Sequence, residues 1–295
     1  MTYVKLLQYT VIAILDFLLN MEEIMLSPDV INELTDLRYL TWSHARYSSG
    51  TAGSYLKAYE IRNGKKLYYK LSCFDPEQGI TGHECVNEVI VDRLLQILGV
   101  EHIHYQLIHA LVLVNDEEYE TYVCVSEDFK EPGDSKAALD DYYDMEHDPG
   151  ESRIDFCVRK GWKDYIYTML VVDYLILNRD RHGANIEVLR NRVNETVRPA
   201  PLFDHGLSLI FSCKTDEEVK NFDPMSDPPV QSYIGSRSAA ENLKLIPSNS
   251  RPSLRELEER DKKILFSGLD EALPEIYRDK IWEMIWKRWC SYENM

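Results

Sequence analysis

Three side chains in the second half of the chain have the types and the spacing for phosphoryl transfer. Asp180 and Asn185 stand five positions apart in Asn178-Arg-Asp-Arg-His-Gly-Ala-Asn185, and Asp204 follows nineteen positions on in Phe203-Asp-His-Gly206. Such a transfer needs one carboxylate to orient an attacking hydroxyl. It also needs an amide oxygen and a second carboxylate to hold Mg²⁺ against the phosphates. A bare Asp-x4-Asn is common, whereas the longer string followed at this distance by Phe-Asp-x-Gly is not. Without chemistry the same residues would be a helix cap and an ordinary turn, a reading that the joint pattern disfavours. ATP and Mg²⁺ are therefore the expected cofactors, with Asp180 as the catalytic carboxylate and Asn185 and Asp204 as metal ligands.

Such a centre also needs a phosphate clamp and a cation, and the first half offers both. Ser48-Ser-Gly-Thr-Ala-Gly-Ser54 leads into a strand, and its glycines would let the backbone N–H groups of Gly50, Thr51, Ala52, Gly53 and Ser54 approach phosphates. Lys70 lies in a following strand between Tyr69 and Leu71, where a lone ammonium needs a counter-ion. Glu88, eighteen residues on and within a helix, is the natural one, and Glu84, one turn earlier, is its rival. The stretch Cys124-Val-Ser-Glu-Asp-Phe129 joins the two halves of the chain. Adenine would meet its backbone near Glu127 and Phe129.

The elements that must position these groups follow from periodicity. Residues 55–61 and 66–71 alternate around Asn63-Gly64 as a hairpin does. From Glu84 to Leu98 the apolar residues recur at helical spacing and stop at Gly99. A second strand pair, 105–114 and 120–125, turns at Asn115-Asp116. Residues 162–177 read as a central buried helix, Ser253 and Glu256 as a capping box, and Ile281, Ile285 and Trp289 as one face of a last helix. Two acidic, turn-rich stretches, 127–152 and 215–229, read as loops. The expected fold is α+β and two-lobed, of protein-kinase type. It comprises an N-terminal helical extension over 1–47, a β-rich N-lobe over 48–125 and a mostly helical C-lobe over 126–295.

Composition narrows the partners. With 50 acidic against 33 basic residues among 295, the formal charge is −17. That balance disfavours a general binder of nucleic acid or of anionic membranes. Six scattered cysteines form no CxxC pair and no zinc spacing, and suit a reducing, cytoplasmic setting, though a secreted effector stays open. The apolar run at 6–19 carries Asp16 and is too short to span a bilayer. It reads as a packed or partner-facing amphipathic helix rather than a secretion signal, so no stable membrane insertion is expected.

The Gly-rich 49–53 segment, Tyr69-Lys70, Asn87-Glu88, Asn178-Arg-Asp-Arg-His-x-x-Asn185 and Phe203-Asp204-x-Gly206 together resemble the HipA-like serine/threonine kinases, in a compact, CtkA-like layout. The resemblance covers roughly residues 48–210. It implies that Asp180 is the catalytic base, that Asn185 and Asp204 bind Mg²⁺ and that Lys70 contacts ATP. It further implies a protein substrate with a Ser/Thr acceptor, autophosphorylation in the Gly-rich loop, and room for an antitoxin-like partner. A phosphoinositide-type lipid kinase shares Asp-Arg-His-x-x-Asn, but the −17 charge opposes approach to an anionic bilayer. A catalytically inactive nucleotide- or partner-binding module and an adenylylating enzyme are the other readings.

Overall fold

A computed structural model describes residues 29–43 and 55–295. The apolar run at 6–19 and the Gly-rich segment 48–54 lie outside the described residues. Within 1–47, the expected helical extension gives way to a strand over its described part: β1 (Val30–Asp36) runs parallel to the strand at 105–114. Its sequence, Val-Ile-Asn-Glu-Leu-Thr-Asp, is too rich in β-branched and short polar residues to favour a helix.

The hairpin forms where alternation places it, from β2 (Lys57–Arg62) to β3 (Lys65–Leu71). Asn63 and Gly64 both take positive φ, 52° and 79°, as a two-residue hairpin loop requires. A minor pair, β4 (Phe74–Asp75) and β5 (Gly79–Ile80), precedes helix α1 (Glu84–Leu98), which ends on Gly99 at φ 73°. Strands β6 (Tyr105–Val114) and β7 (Glu117–Glu127) complete a five-stranded sheet in the order β1-β6-β7-β3-β2. Period-two alternation gives that sheet two apolar faces. Leu107 and Cys124 pack on α1, while Ile108, Ala110, Val112, Val123 and Val125 cover the other side with Leu37, Leu40 and Leu56.

The second half is mostly helical. Strand β8 (Asp134–Ala138) leads straight into α2 (Leu139–Glu146), followed by α3 (Arg153–Arg159) and α4 (Lys163–Leu175). After a short β9 (Asp180–Arg181) come β10 (Glu187–Asn191) and β11 (Thr196–Pro199), then α5 (Asp216–Asn221), β12 (Gln231–Ser232), α6 (Ala239–Leu243), α7 (Lys262–Phe266) and α8 (Glu275–Glu293). Strand β10 lies between β8 and β11, and β9 pairs with β12. Helix α4 is apolar on nearly every side, with Ile166, Met169, Val171, Val172 and Leu175 fully buried.

Three expectations fail here for identifiable reasons. The 127–152 stretch is not all loop, because β10 recruits residues 134–138 as a partner, and α2 starts at once with Asp140 and Asp141 in its first turn. The 215–229 stretch contains α5, begun by a true capping box in which Thr215 and Glu218 exchange bonds. Ser253 and Glu256 cap nothing, since residues 251–258 run without helix and Arg255 donates its N–H to Leu98 O at the end of α1.

Helix α8 is anchored to the middle of the molecule by Arg288, which is 1% exposed. Its guanidinium donates to Tyr174 O at 3.0 Å, to Pro224 O at 2.9 Å and to Ser226 O. Tyr174 sits at the end of α4, so this residue satisfies a helix-end carbonyl just before the 178–185 loop. Replacing Arg288 by Ala leaves the Pro224 and Ser226 carbonyls without this donor, and stability should fall by about 3 kcal/mol, read from urea unfolding. A loss within experimental error would show that water replaces the guanidinium without cost.

Candidate active site

A single buried ammonium joins the two halves. Lys70, the penultimate residue of β3, places Nζ 2.7 Å from Glu88 Oε1 and 2.5 Å from Asp204 Oδ1. Glu88 comes from the second turn of α1 and is fully buried; Lys70 is 8% exposed. The rival Glu84 is turned elsewhere: its carboxylate accepts from Cys73 N and Tyr55 OH. The Tyr55 ring lies 5.1 Å from Lys70 Nζ and helps to screen it from water.

Helix α1 grips the 203–208 turn at further points. The second Glu88 oxygen accepts from His205 N at 2.8 Å, and Asn87 Nδ2 donates to the carbonyls of Gly206 and Ser208 at 3.0 and 3.1 Å. The approach is close at Gly206, where a Cβ would stand 3.2 Å from both Lys70 Nζ and Glu84 Cβ and would make these neighbours give by a few tenths of an ångström. Asp204 itself takes φ 58°, an αL conformation that costs a non-glycine residue on the order of 1 kcal/mol. Its N–H is held by Tyr105 OH at 3.3 Å.

The 178–185 loop is built from the other side. Leu177 turns at φ 53°, and Asn178 receives at Oδ1 the N–H of Asp180 while donating Nδ2 to Asp173. Arg181, 1% exposed, donates to the Asp173 carboxylate and to the carbonyls of Asn185 and Phe203, so one guanidinium ties the loop to the turn that carries Asp204. Asn185 donates Nδ2 to Asp180 O at 2.7 Å, which leaves Oδ1 as its acceptor. His182 Nε2 stands 3.6 Å from Asp180 Oδ1. Glu127 ends β7 with an exposed side chain paired to Lys65, whereas Phe129 turns back to stack on Phe203 with centroids 5.8 Å apart.

The charges follow from this packing. Burial alone would raise the Asp204 carboxyl, but the Lys70 ammonium overrides it and holds the group well below the ordinary carboxylate range. Glu88 is pushed up, because complete burial outweighs the same ammonium. Lys70 stays firmly protonated: burial works against its charge, and Asp204 and Glu88 more than compensate. Asp180 is raised, first by burial, with His182 opposing and Asp204 adding to the rise. Burial depresses His205, which is neutral, and its ring packs inside.

No protein-family model matches the chain, and no curated protein matches it. Solved structures do. The proinflammatory kinase CtkA of Helicobacter pylori superposes with a TM-score of 0.56 at 15% identity, over 86% of this chain and 93% of CtkA. The fold is thus that of CtkA, a β-rich sheet with one helix followed by a mostly helical half. HipA, in the Shewanella oneidensis MR-1 toxin–antitoxin complex with HipB and operator DNA, matches more loosely. It gives a TM-score of 0.40 at 15% identity, over 85% of this chain and 59% of HipA.

The structure thus brings Lys70, Glu88 and Asp204 into contact and sets Asp180 and Asn185 on one loop beside them. Gly50, Thr51, Ala52, Gly53 and Ser54 lie outside the described residues. Sequence reading missed Asp173 and assigned no role to Arg181 and Asn87, which it quoted only within longer motifs. Asp173 left a signal, as a carboxylate near the end of an otherwise apolar helix, and the charged residue it needed was Arg181.

Replacing Lys70 by Met leaves two carboxylates facing each other in a dry site. In the native protein the depressed Asp204 contributes stability above the unfolded-state carboxylate value, and that contribution is lost as pH falls through the folded value. Without the ammonium, burial raises both carboxyls above their unfolded values, so the penalty is full at neutral pH and fades as acid protonates them. The variant should lose about 3 kcal/mol at pH 7, and its Tm deficit should narrow by pH 5. A deficit that is constant with pH would remove the electrostatic explanation.

Proposed function

We propose that the protein is an ATP- and Mg²⁺-dependent protein serine/threonine kinase. The observation that carries this reading is the Lys70 ammonium held between Glu88 of a helix and Asp204 of a strained turn, with Asp180 and Asn185 on the adjoining loop. Each group then has a role. Asp180 orients the acceptor hydroxyl and takes its proton, and the rise that its burial causes improves it as a base.

Asn185 Oδ1 and the Asp204 carboxylate form a hard-oxygen donor set of the kind that suits Mg²⁺. The ion supplies charge neutralisation at the phosphates when bound. Lys70, kept in place by Glu88, turns its remaining N–H toward them. The backbone of Glu127 to Phe129 receives adenine, and the Phe129–Phe203 stack closes the site behind it. The Gly50–Ser54 backbone covers the phosphates, and Ser49 or Thr51 there is the site of autophosphorylation, with Ser48 and Ser54 as lesser sites. A phosphate adds about −1.5 to −2 charges, which repel incoming ATP and switch the enzyme off.

The acceptor is a protein hydroxyl rather than a lipid, since a −17 chain is repelled by an anionic bilayer. Among the described residues no helix is long and apolar enough to cross a membrane. The partners that fit are a protein substrate and an antitoxin-like regulator, in the cytoplasm or in a cell that the protein enters as an effector.

Incubation with γ-labelled ATP and Mg²⁺, with and without a cell lysate, tests this. Label should appear on the protein itself, in peptides from 48–54, and on a discrete lysate protein. Asp180→Asn should lower transfer by at least about 100-fold while ATP binding and the melting curve stay close to native. Transfer of label from α-labelled ATP instead would mean adenylylation, and an unimpaired Asn variant would remove Asp180 from its role.

A further inference from the structure

The small sheet that follows the 178–185 loop has one face turned away from the core, and a buried carboxylate stands on it. Strand β10 begins two residues after Asn185 and pairs with β8, Glu187 opposite Ala138 and Leu189 opposite Lys136. Alternation sends Val188 into the main core and puts Glu187, Leu189, Ala138 and Lys136 together on the other side. There Glu187 Oε1 accepts from Lys136 Nζ at 2.8 Å, and the same ammonium lies 5.8 Å from the centre of the Phe129 ring. Phe129 in turn stacks on Phe203, one residue before Asp204. This face therefore adjoins the 127–129 segment, and its strand follows directly on the loop that carries Asn185.

Glu187 is distinguished by what it lacks. The residue is 3% exposed, and its second oxygen, Oε2, is closed to solvent and has no hydrogen-bond partner among the described residues. Lys136 serves one oxygen only, and a buried acceptor left unmade on the other is costly. An apolar side chain would fill the position at less cost if filling were its whole task. A buried, unpaired acceptor beside a backbone segment suited to a planar base is instead matched by a donor on that base.

We propose that Glu187 Oε2 accepts a hydrogen bond from the exocyclic amine of adenine and so selects ATP over GTP. This rests on the reading that the backbone of residues 127–129 receives the base. The amine carries two hydrogens, one for a carbonyl of that backbone and one for Oε2. Guanine in the same pose turns a carbonyl oxygen to Oε2, acceptor against acceptor. The base reaches Oε2 by a shift of the partly buried Phe129 ring, which closes again behind it. Lys136 stays on Oε1 and keeps the carboxylate oriented.

Nucleoside diphosphates, which cannot be turned over by transfer, test this by calorimetric titration with Mg²⁺ into the full-length protein. ADP should bind at least about 10-fold more tightly than GDP and than purine riboside diphosphate, which lacks the amine, while 2′-deoxy-ADP should bind like ADP. Glu187→Gln keeps the volume and can offer guanine a donor, and Lys136, whose side chain is 23% exposed, can turn to solvent. That variant should melt close to native, and its preference for ADP over GDP should shrink toward parity. Three results overturn the proposal while leaving the nucleotide site standing: equal binding of ADP and purine riboside diphosphate by the native protein, a loss confined to the 2′-deoxy sugar, or a Gln variant as selective as native. Binding of none of the four nucleotides removes both the proposal and the site it rests on.

Discussion

Burial of the Lys70 ammonium is the constraint on which the rest of the architecture turns. An isolated charge cannot be taken out of water at tolerable cost, so its position demands partners within hydrogen-bond reach. One partner comes from α1 and the other from the 203–206 turn, which lie 18 and 134 residues away in the chain. Satisfying a single cation therefore fixes the sheet, the helix and the turn relative to one another. The same contact sets the charge states: Asp204 ionised well below its usual range and Glu88 raised by its burial.

A second charge, Arg181, performs the equivalent task within the helical half. Its guanidinium holds Asp173 at the end of α4 and two carbonyls that belong to the loop and the turn. The fork geometry of arginine serves three acceptors at once, which a lysine could not do in one plane. Three non-glycine residues around this network, Leu177, Asp204 and Leu209, take positive φ. Strain of that kind persists only where surrounding bonds over-determine the backbone. Here they do: Leu209 N donates to Ile176 O at 2.6 Å and Arg179 N to Leu207 O at 2.9 Å.

Much of this was legible before folding because it rests on local rules. Asn63-Gly64 declares a hairpin, the run from Glu84 to Leu98 declares its own helix down to the Gly99 cap, and Asn115-Asp116 marks the second turn. The pairing of Lys70 with Glu88 over Glu84 followed from charge logic, and only the packing of Tyr55 and Cys73 against Glu84 shows why the alternative is closed. What stayed hidden depends on distant partners. Residues 134–138 are a strand only because β10 lies alongside, and β1 is one because β6 accepts it. Ser253 and Glu256 match a capping motif, yet Arg255 between them donates its N–H to Leu98 O at the end of α1 and the segment runs without helix.

The central claim is that Lys70, Glu88, Asp204 and Asn185 form one nucleotide site. Its most direct test is a crystal structure of the protein with a non-hydrolysable ATP analogue and Mn²⁺, located by anomalous scattering. The account predicts a Mn²⁺ peak between Asn185 Oδ1 and the Asp204 carboxylate. Lys70 should still be paired to Glu88 and should point its ammonium at the phosphates, with adenine against the backbone of residues 127–129. Nucleotide bound elsewhere, or Lys70 and Asp204 still locked together with no metal beside them, would contradict it.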